Sequence, residues 1–301
     1  MSGYLSAQLS ILCLNIIIAY AIFLPAASGQ LNLGAGGFAI IGGYVGAYLN
    51  SQFDGLGWAM YMSVPVAAIA TAAIAFLLSF PILRTRGVYM VLATFAFAEV
   101  VSGIVLNLEV VGGAAGFPVD SHADLTILAP VALGVVLFCS FLLSTRFGLA
   151  MRSVHDDESV ATLFGINVRR IRVAAFTLGG LLGGLYGALY GHQYNYIEVQ
   201  NWNVLFNIYV LLYVLLGGTQ TPVGPLVGAL FFTVVPELLR ALGEALDSEL
   251  IADARFALFG ALIVLMMVFR PEGIVTRTML ERLRGRKALD SIADSSHELR
   301  T

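Results

Sequence analysis

Thr126-Ile-Leu-Ala-Pro-Val-Ala-Leu-Gly-Val-Val-Leu-Phe-Cys-Ser-Phe-Leu-Leu-Ser144 contains no charged side chain, and Arg146 follows almost at once. Wound as an α-helix at about 1.5 Å per residue, such a run reaches close to the roughly 30 Å of a bilayer's hydrocarbon core. Only a helix or a closed barrel satisfies its own backbone in lipid, so the stretch reads as a spanning helix. The pattern recurs in both directions. Comparable runs lie near 5–24, 31–50, 58–82, 88–108, 171–191, 204–217, 224–240 and 255–270. About nine crossings follow, with eight or ten as alternatives, because the second and eighth runs are glycine-rich enough to be broken or re-entrant and the seventh is short.

Composition agrees. Of 301 residues, 58% are hydrophobic and 12% charged, where a soluble domain is roughly half apolar and a quarter charged. Disordered, collagenous, disulfide-scaffold and ordinary soluble classes are excluded, which leaves an all-α polytopic membrane protein in contact with lipid. The 32 glycines suit close helix approach there. A net charge of −3 implies no strongly charged partner, and none of nucleic acid. Cys13 and Cys139 fall inside apolar runs, as packing residues do, and offer no disulfide framework or metal site. No Lys or Arg precedes the apolar stretch Ile11–Leu24, so it reads as an uncleaved first helix and not as a signal peptide.

The scarce charges set the orientation. Taking alternate sides, one set of loops holds Arg84, Arg86, Arg146, Arg152, Arg169, Arg170 and Arg172, together with a tail carrying Arg270, Arg277, Arg282, Arg284, Arg286, Lys287 and Arg300. Only Arg240 and Arg255 fall on the other side. The positive-inside rule makes the first set cytoplasmic, with the N-terminus outside and the C-terminus inside. No room remains for a second folded unit: a transmembrane domain over 1–274 includes a cytoplasmic loop at about 145–170, and a short polar tail occupies 275–301.

That loop is the most informative segment. Asp156, Asp157 and Glu158 suit the first turn of a helix, where the macrodipole favours acids. Val160, Leu163 and Phe164 follow at i, i+3 and i+4 as an apolar stripe, and Gly165 suits the C-terminal cap. A short amphipathic helix between spans lies in the membrane plane or docks on a partner. Three acids in a row favour the protein partner.

Enzyme chemistry has little support. Lys287, in the tail, is the single lysine, so no P-loop GxxxxGK[ST] exists, and neither HExxH nor GxSxG occurs. His122, His155, His192 and His297 are scattered through loops and tail. Glu99 is the one acid deep inside a span, which makes it a candidate for the transport pathway or a gate. Asn32 and Gly34 could open backbone groups to a substrate, although close packing explains the same glycines. Gly179, Gly183 and Gly187 form a small-xxx-small ladder for helix contact. Tyr186, Tyr190, Tyr194 and Tyr196 fit an interfacial aromatic belt.

Four segments, in order, resemble one family. They are Leu33-Gly-Ala-Gly-Gly-Phe38 through Gly42-Gly-Tyr44; Arg84-Thr-Arg-Gly-Val-Tyr89 with Thr94 and Glu99; the acid-acid-x-x-x-Ala-x-x-x-Gly-Ile pattern over 156–166; and Gly217-Gly-Thr-Gln-Thr-Pro-Val-Gly-Pro225 with Gly228. Together they are similar to the branched-chain (hydrophobic) amino-acid permeases of ABC importers, the LivM-type subunit. The resemblance implies an inner-membrane importer subunit of a bacterium or archaeon for such amino acids, or for a related solute such as urea or an amide. It implies a second, paralogous permease subunit, two cytoplasmic ATPase chains holding ATP and Mg, no cofactor on this chain, and an external solute-binding protein. It places Arg152, Asp157, Glu158, Ala161 and Gly165 in the loop that couples to the ATPase, and makes Gly218 and Thr219 pathway candidates. The alternatives are a ribose- or nucleoside-type ABC permease, and a secondary transporter or channel that needs no ATPase.

Overall fold

The architecture comes from a computed structural model describing residues 2–53, 59–245, 259–266, 268–269 and 273–275. Ten α-helices follow one another among the described residues: α1 Ser2–Ala26, α2 Ala35–Gln52, α3 Ala59–Ile82, α4 Val88–Leu106, α5 Leu125–Ser144, α6 Arg146–Asp156, α7 Glu158–Leu163, α8 Val168–Tyr194, α9 Val204–Gly217 and α10 Gly224–Ala245. Six of them, α1, α3, α4, α5, α8 and α10, are long and apolar enough to cross a membrane. Three expected crossings differ. α2 is one unbroken helix, and α9 has only 14 residues. Of the run at 255–270, residues 259–266 and 268–269 are described and are helical, in addition to the ten helices above, whereas the tail beyond Val275 lies outside the described residues. The helical reading also omitted one small ladder, in which β1 (Phe117–Pro118) pairs antiparallel with β2 (Tyr196–Ile197).

α8 is the hub, packed against α1, α2 and α3. Its small residues decide this. A Cβ on Gly187 would stand 1.9 Å from the Ala39 carbonyl oxygen of α2, and one on Gly42 would stand 2.2 Å from the Gly184 oxygen. A Cβ on Gly179 would stand 2.6 Å from the Ala21 oxygen of α1, and one on Gly183 would stand 2.8 Å from the Phe38 Cβ. Helices in lipid gain nothing from hydrophobic expulsion of one another, so backbone approach through small residues supplies the packing. The second half of α1 is buried on every side from Ile16 to Ala26, as befits a helix apolar all round.

Two loops enter the bundle. Residues 27–34, before α2, bury Ser28, Gln30 and Asn32. The segment 195–203, expected as an outer loop, buries Ile197, Val199 and Trp202. Ile197 packs at Gly43 and the Trp202 carbonyl at Gly36, so this chain descends alongside α2 for seven residues of helix, about 10 Å. The descent corrects the aromatic-belt expectation for two tyrosines. Tyr186 is buried and stacks on Phe206, and Tyr190 meets Trp202 edge-on at 5.2 Å. They are core residues that wall in the descending segment; Tyr194 and Tyr196 stay exposed. His192, expected in a loop, is buried in the last turn of α8, with Nδ1 2.7 Å from the Ala188 oxygen.

Candidate functional site

Arginines gather at one end of the bundle, where α6 and α7 lie. Asp157 is the cap between these helices: its Oδ1 accepts from Ser159 N at 2.8 Å and Val160 N at 3.1 Å, filling orphan amides of the first turn of α7. Asp156 instead closes α6, and only Glu158 occupies the first turn of α7. Gly165 ends the element at φ +79, a conformation that an L side chain resists, and its amide donates to Thr162 O while Ile166 N donates to Ala161 O. Ala161 is 1% exposed and seats α7 on the bundle, whereas Leu163 is 86% and Phe164 80% exposed. The apolar stripe therefore points away from the protein. Two large apolar side chains on a capped, anchored turn make a knob without a socket among the described residues.

The anchor is ionic. Glu158 pairs with Arg172 at the start of α8 (3.2 Å) and with Arg86 in the turn before α4 (3.5 Å). Arg152 lies in α6, on the side of the knob that leads back to α5. Glu158→Gln is expected to leave protein abundance unchanged, because pairs this exposed are worth no more than about 1 kcal/mol. It should loosen the hold on α7 and speed proteolytic cleavage between 156 and 166 in the purified protein severalfold; an unchanged cleavage rate would contradict the anchoring role.

The other candidates do not form one site. At the start of α2 the freed amides are already taken by protein acceptors: Leu33 N by Thr94 Oγ1 (3.0 Å), Gly34 N by Asn32 Oδ1 (2.7 Å) and Gly36 N by Asn207 Oδ1 (2.7 Å). Asn207 is fully buried in α9, and its Nδ2 donates to Asn203 O. Composition gives no hint of Asn207 or Asn203, two polar residues flanked by apolar ones, and Thr94 enters only through the family resemblance. Gly218 and Thr219 sit at the opposite end of α9, in a turn packed against Gly224 and Gly273. Glu99 lies on the exposed face of α4, away from Thr94. Asn207→Leu leaves the Gly36 amide buried and unpaired, which costs about 1–3 kcal/mol. A clear drop in the thermal midpoint of the purified protein is the expected reading.

Long apolar helices, buried polar loops and an outward-facing knob on a short connecting helix define a multi-pass helical membrane protein. The chain of an ABC transporter of metal-chelate type, solved in an inward-facing conformation, shares that fold with a TM-score of 0.52 over 88% of this chain and 85% of its own, at 19% identity. The family model described as "Branched-chain amino acid transport system / permease component" matches residues 4–269. The chain belongs to that family. It is similar to the high-affinity branched-chain amino acid transport system permease protein LivM of Escherichia coli K12, with 29% identity over 83% of this chain and 65% of the relative, so it spans just under two thirds of that protein's length. It is also similar to the LivM protein of Methanocaldococcus jannaschii, with 26% identity over 72% of this chain and 68% of the relative.

Proposed function

We propose that this chain is the permease subunit of an ATP-driven importer that moves branched-chain or other hydrophobic amino acids, or a related small solute, inward by alternating access. The observation that carries the proposal is the exposed Leu163–Phe164 knob, capped by Asp157 and Gly165 and tied down by Glu158. Such a knob fits a cleft in a separate ATPase chain, where ATP and Mg would be held. Family membership and the names of the relatives support the choice of cargo.

On this reading the arginine-bearing end is cytoplasmic, and nine crossings run from an external N-terminus to a cytoplasmic C-terminus in the inner membrane. A paralogous permease subunit completes the pathway, and an external binding protein delivers the solute. Glu99 belongs to that partnership. It lies near the middle of α4 on the exposed face that also carries Gly103 and Asn107, and a carboxylate facing hydrocarbon there costs about 3 kcal/mol or more. The second permease subunit, and not lipid, covers this face.

The test is solute uptake by proteoliposomes made with and without the ATPase chains. Uptake that needs the ATPases and ATP is expected. Undiminished, gradient-driven uptake in their absence would replace this reading with a secondary transporter or channel.

A further inference from the structure

We infer that the arginine-bearing end of the bundle holds an anionic phospholipid, with its acyl chains between α3, α5 and α8 and its phosphate on Arg169 and Arg170. The inference rests on the proposed orientation, which puts this end at the cytoplasmic leaflet. A cavity of about 840 Å³ opens there, walled by Phe76, Phe80, Leu142 and Leu178 and rimmed by the two arginines. From Arg170 to Leu178 it extends over eight residues of α8, about 12 Å.

The depth is right for a lipid. α8 has 27 residues and is about 40 Å long, exceeding the roughly 30 Å hydrocarbon core. Its first turn therefore stands at headgroup level while Val173 to Leu178 lie against acyl chains. The charges are right as well. The Arg169 guanidinium lies 5.6 Å over the Phe80 ring, and no carboxylate among the described residues pairs with Arg169, Arg170 or Arg84. An adjoining polar cavity of about 410 Å³ shares Phe80 and Arg169 and adds Arg84, Arg86, Arg172 and Glu158. Four arginines thus line that cavity with a single carboxylate, and Arg170 adds a fifth on the rim of the apolar one. Basic pockets between spans on this side of a membrane attract anionic headgroups at about 1 kcal/mol per arginine.

A soluble anion would use the rim and leave the apolar walls wet. A protein partner from the aqueous side would have to thread an apolar segment down into the bilayer. A diacyl lipid supplies both parts and is already beside the cavity, whose Phe76 and Phe80 walls are exposed between the helices. Its phosphate would offset the repulsion between Arg169 and Arg170 and the neighbouring Arg86 and Arg172 that hold Glu158, and so steady α7.

The experiment is native mass spectrometry of the purified full chain from micelles doped with phosphatidylglycerol or phosphatidylcholine. Phosphatidylglycerol retained at least about ten-fold better is expected from two arginine contacts. Arg169→Gln with Arg170→Gln should erase the preference, and the paired Lys substitutions should keep it. Ala174→Trp, which fills the cavity and leaves both arginines, should lower phosphatidylglycerol retention too. Arg146→Gln, on the same end but outside both cavities, should change nothing. Equal retention of the two lipids, displacement by excess inorganic phosphate, or full retention by Ala174→Trp would overturn the site. If the paired Gln variant does not fold, the two single Gln variants decide the same question.

Discussion

Gly187→Leu yields no folded protein. The added Cβ alone would stand 1.9 Å from the Ala39 oxygen and 2.7 Å from its carbonyl carbon, and both are backbone atoms that no rotamer change can move. α2 and α8 would have to part, which undoes the Gly42–Gly184 approach one turn away and exposes the descending segment beside Gly43. Ordinary overpacking of a core costs about 1–3 kcal/mol. Here the clash is with main chain along the central helix pair, and the loss approaches the whole 5–15 kcal/mol typical of a folded protein. Fluorescence-detected size exclusion of a tagged chain measures it. Gly103→Leu is the control, since a Cβ at Gly103 meets nothing within 4 Å, and it should elute as wild type. A monodisperse, abundant Gly187→Leu would show that the α2–α8 contact is not as close as described.

On the proposed function, Leu163→Ser with Phe164→Ser is expected to abolish coupled transport and to leave the protein intact. Both side chains are more than three-quarters exposed, so their removal takes little from the chain's own packing. If they insert in an ATPase cleft, each large apolar side chain buried is worth about 1.5–3 kcal/mol. Losing both weakens docking by two orders of magnitude or more. Uptake in reconstituted vesicles should fall to background, and the ATPase chains should no longer co-purify with the permease. Retained co-purification and uptake would place the docking surface elsewhere. Gly165→Asp probes the same element by another route: at φ +79 the aspartate strains the cap that sets the angle of the knob. Partial uncoupling, with ATP hydrolysis outlasting uptake, is the expected result.

The short helix α7 and its caps were legible because their signals are local. Three acids, an i, i+3, i+4 stripe and a glycine stop lie within ten residues, and capping depends on nearest neighbours along the chain. α6 was missed for the opposite reason. Arg146 to Asp156 has no side-chain cap, and the helix is held by packing against α5, α7 and α8 that buries Gly148, Met151 and Val154. The segment 195–203 was hidden likewise. Glu198, Gln200, Asn201 and Asn203 give it the composition of an outer loop, yet Ile197, Val199 and Trp202 bury it against glycines some 150 residues earlier in the chain.

Hydropathy, charge segregation and local capping therefore determined from sequence alone that this is a polytopic helical membrane protein with one short capped helix in a loop and an expected orientation. Each of these is a sum over neighbouring residues or a balance between two sides of a membrane. Only the tertiary structure decided that α8 is the hub, that α2 is unbroken, and that the amides expected to be open at Asn32 and Gly34 are filled by Thr94, Asn32 and Asn207. It also turned Glu99 outward and gathered Arg169 and Arg170 over an apolar cavity. The physical reason is that apolar composition fixes which segments leave water, while in lipid every apolar face is equally content. Which faces then meet is settled by shape and by the pairing of buried polar groups, and those partners lie far apart in the chain.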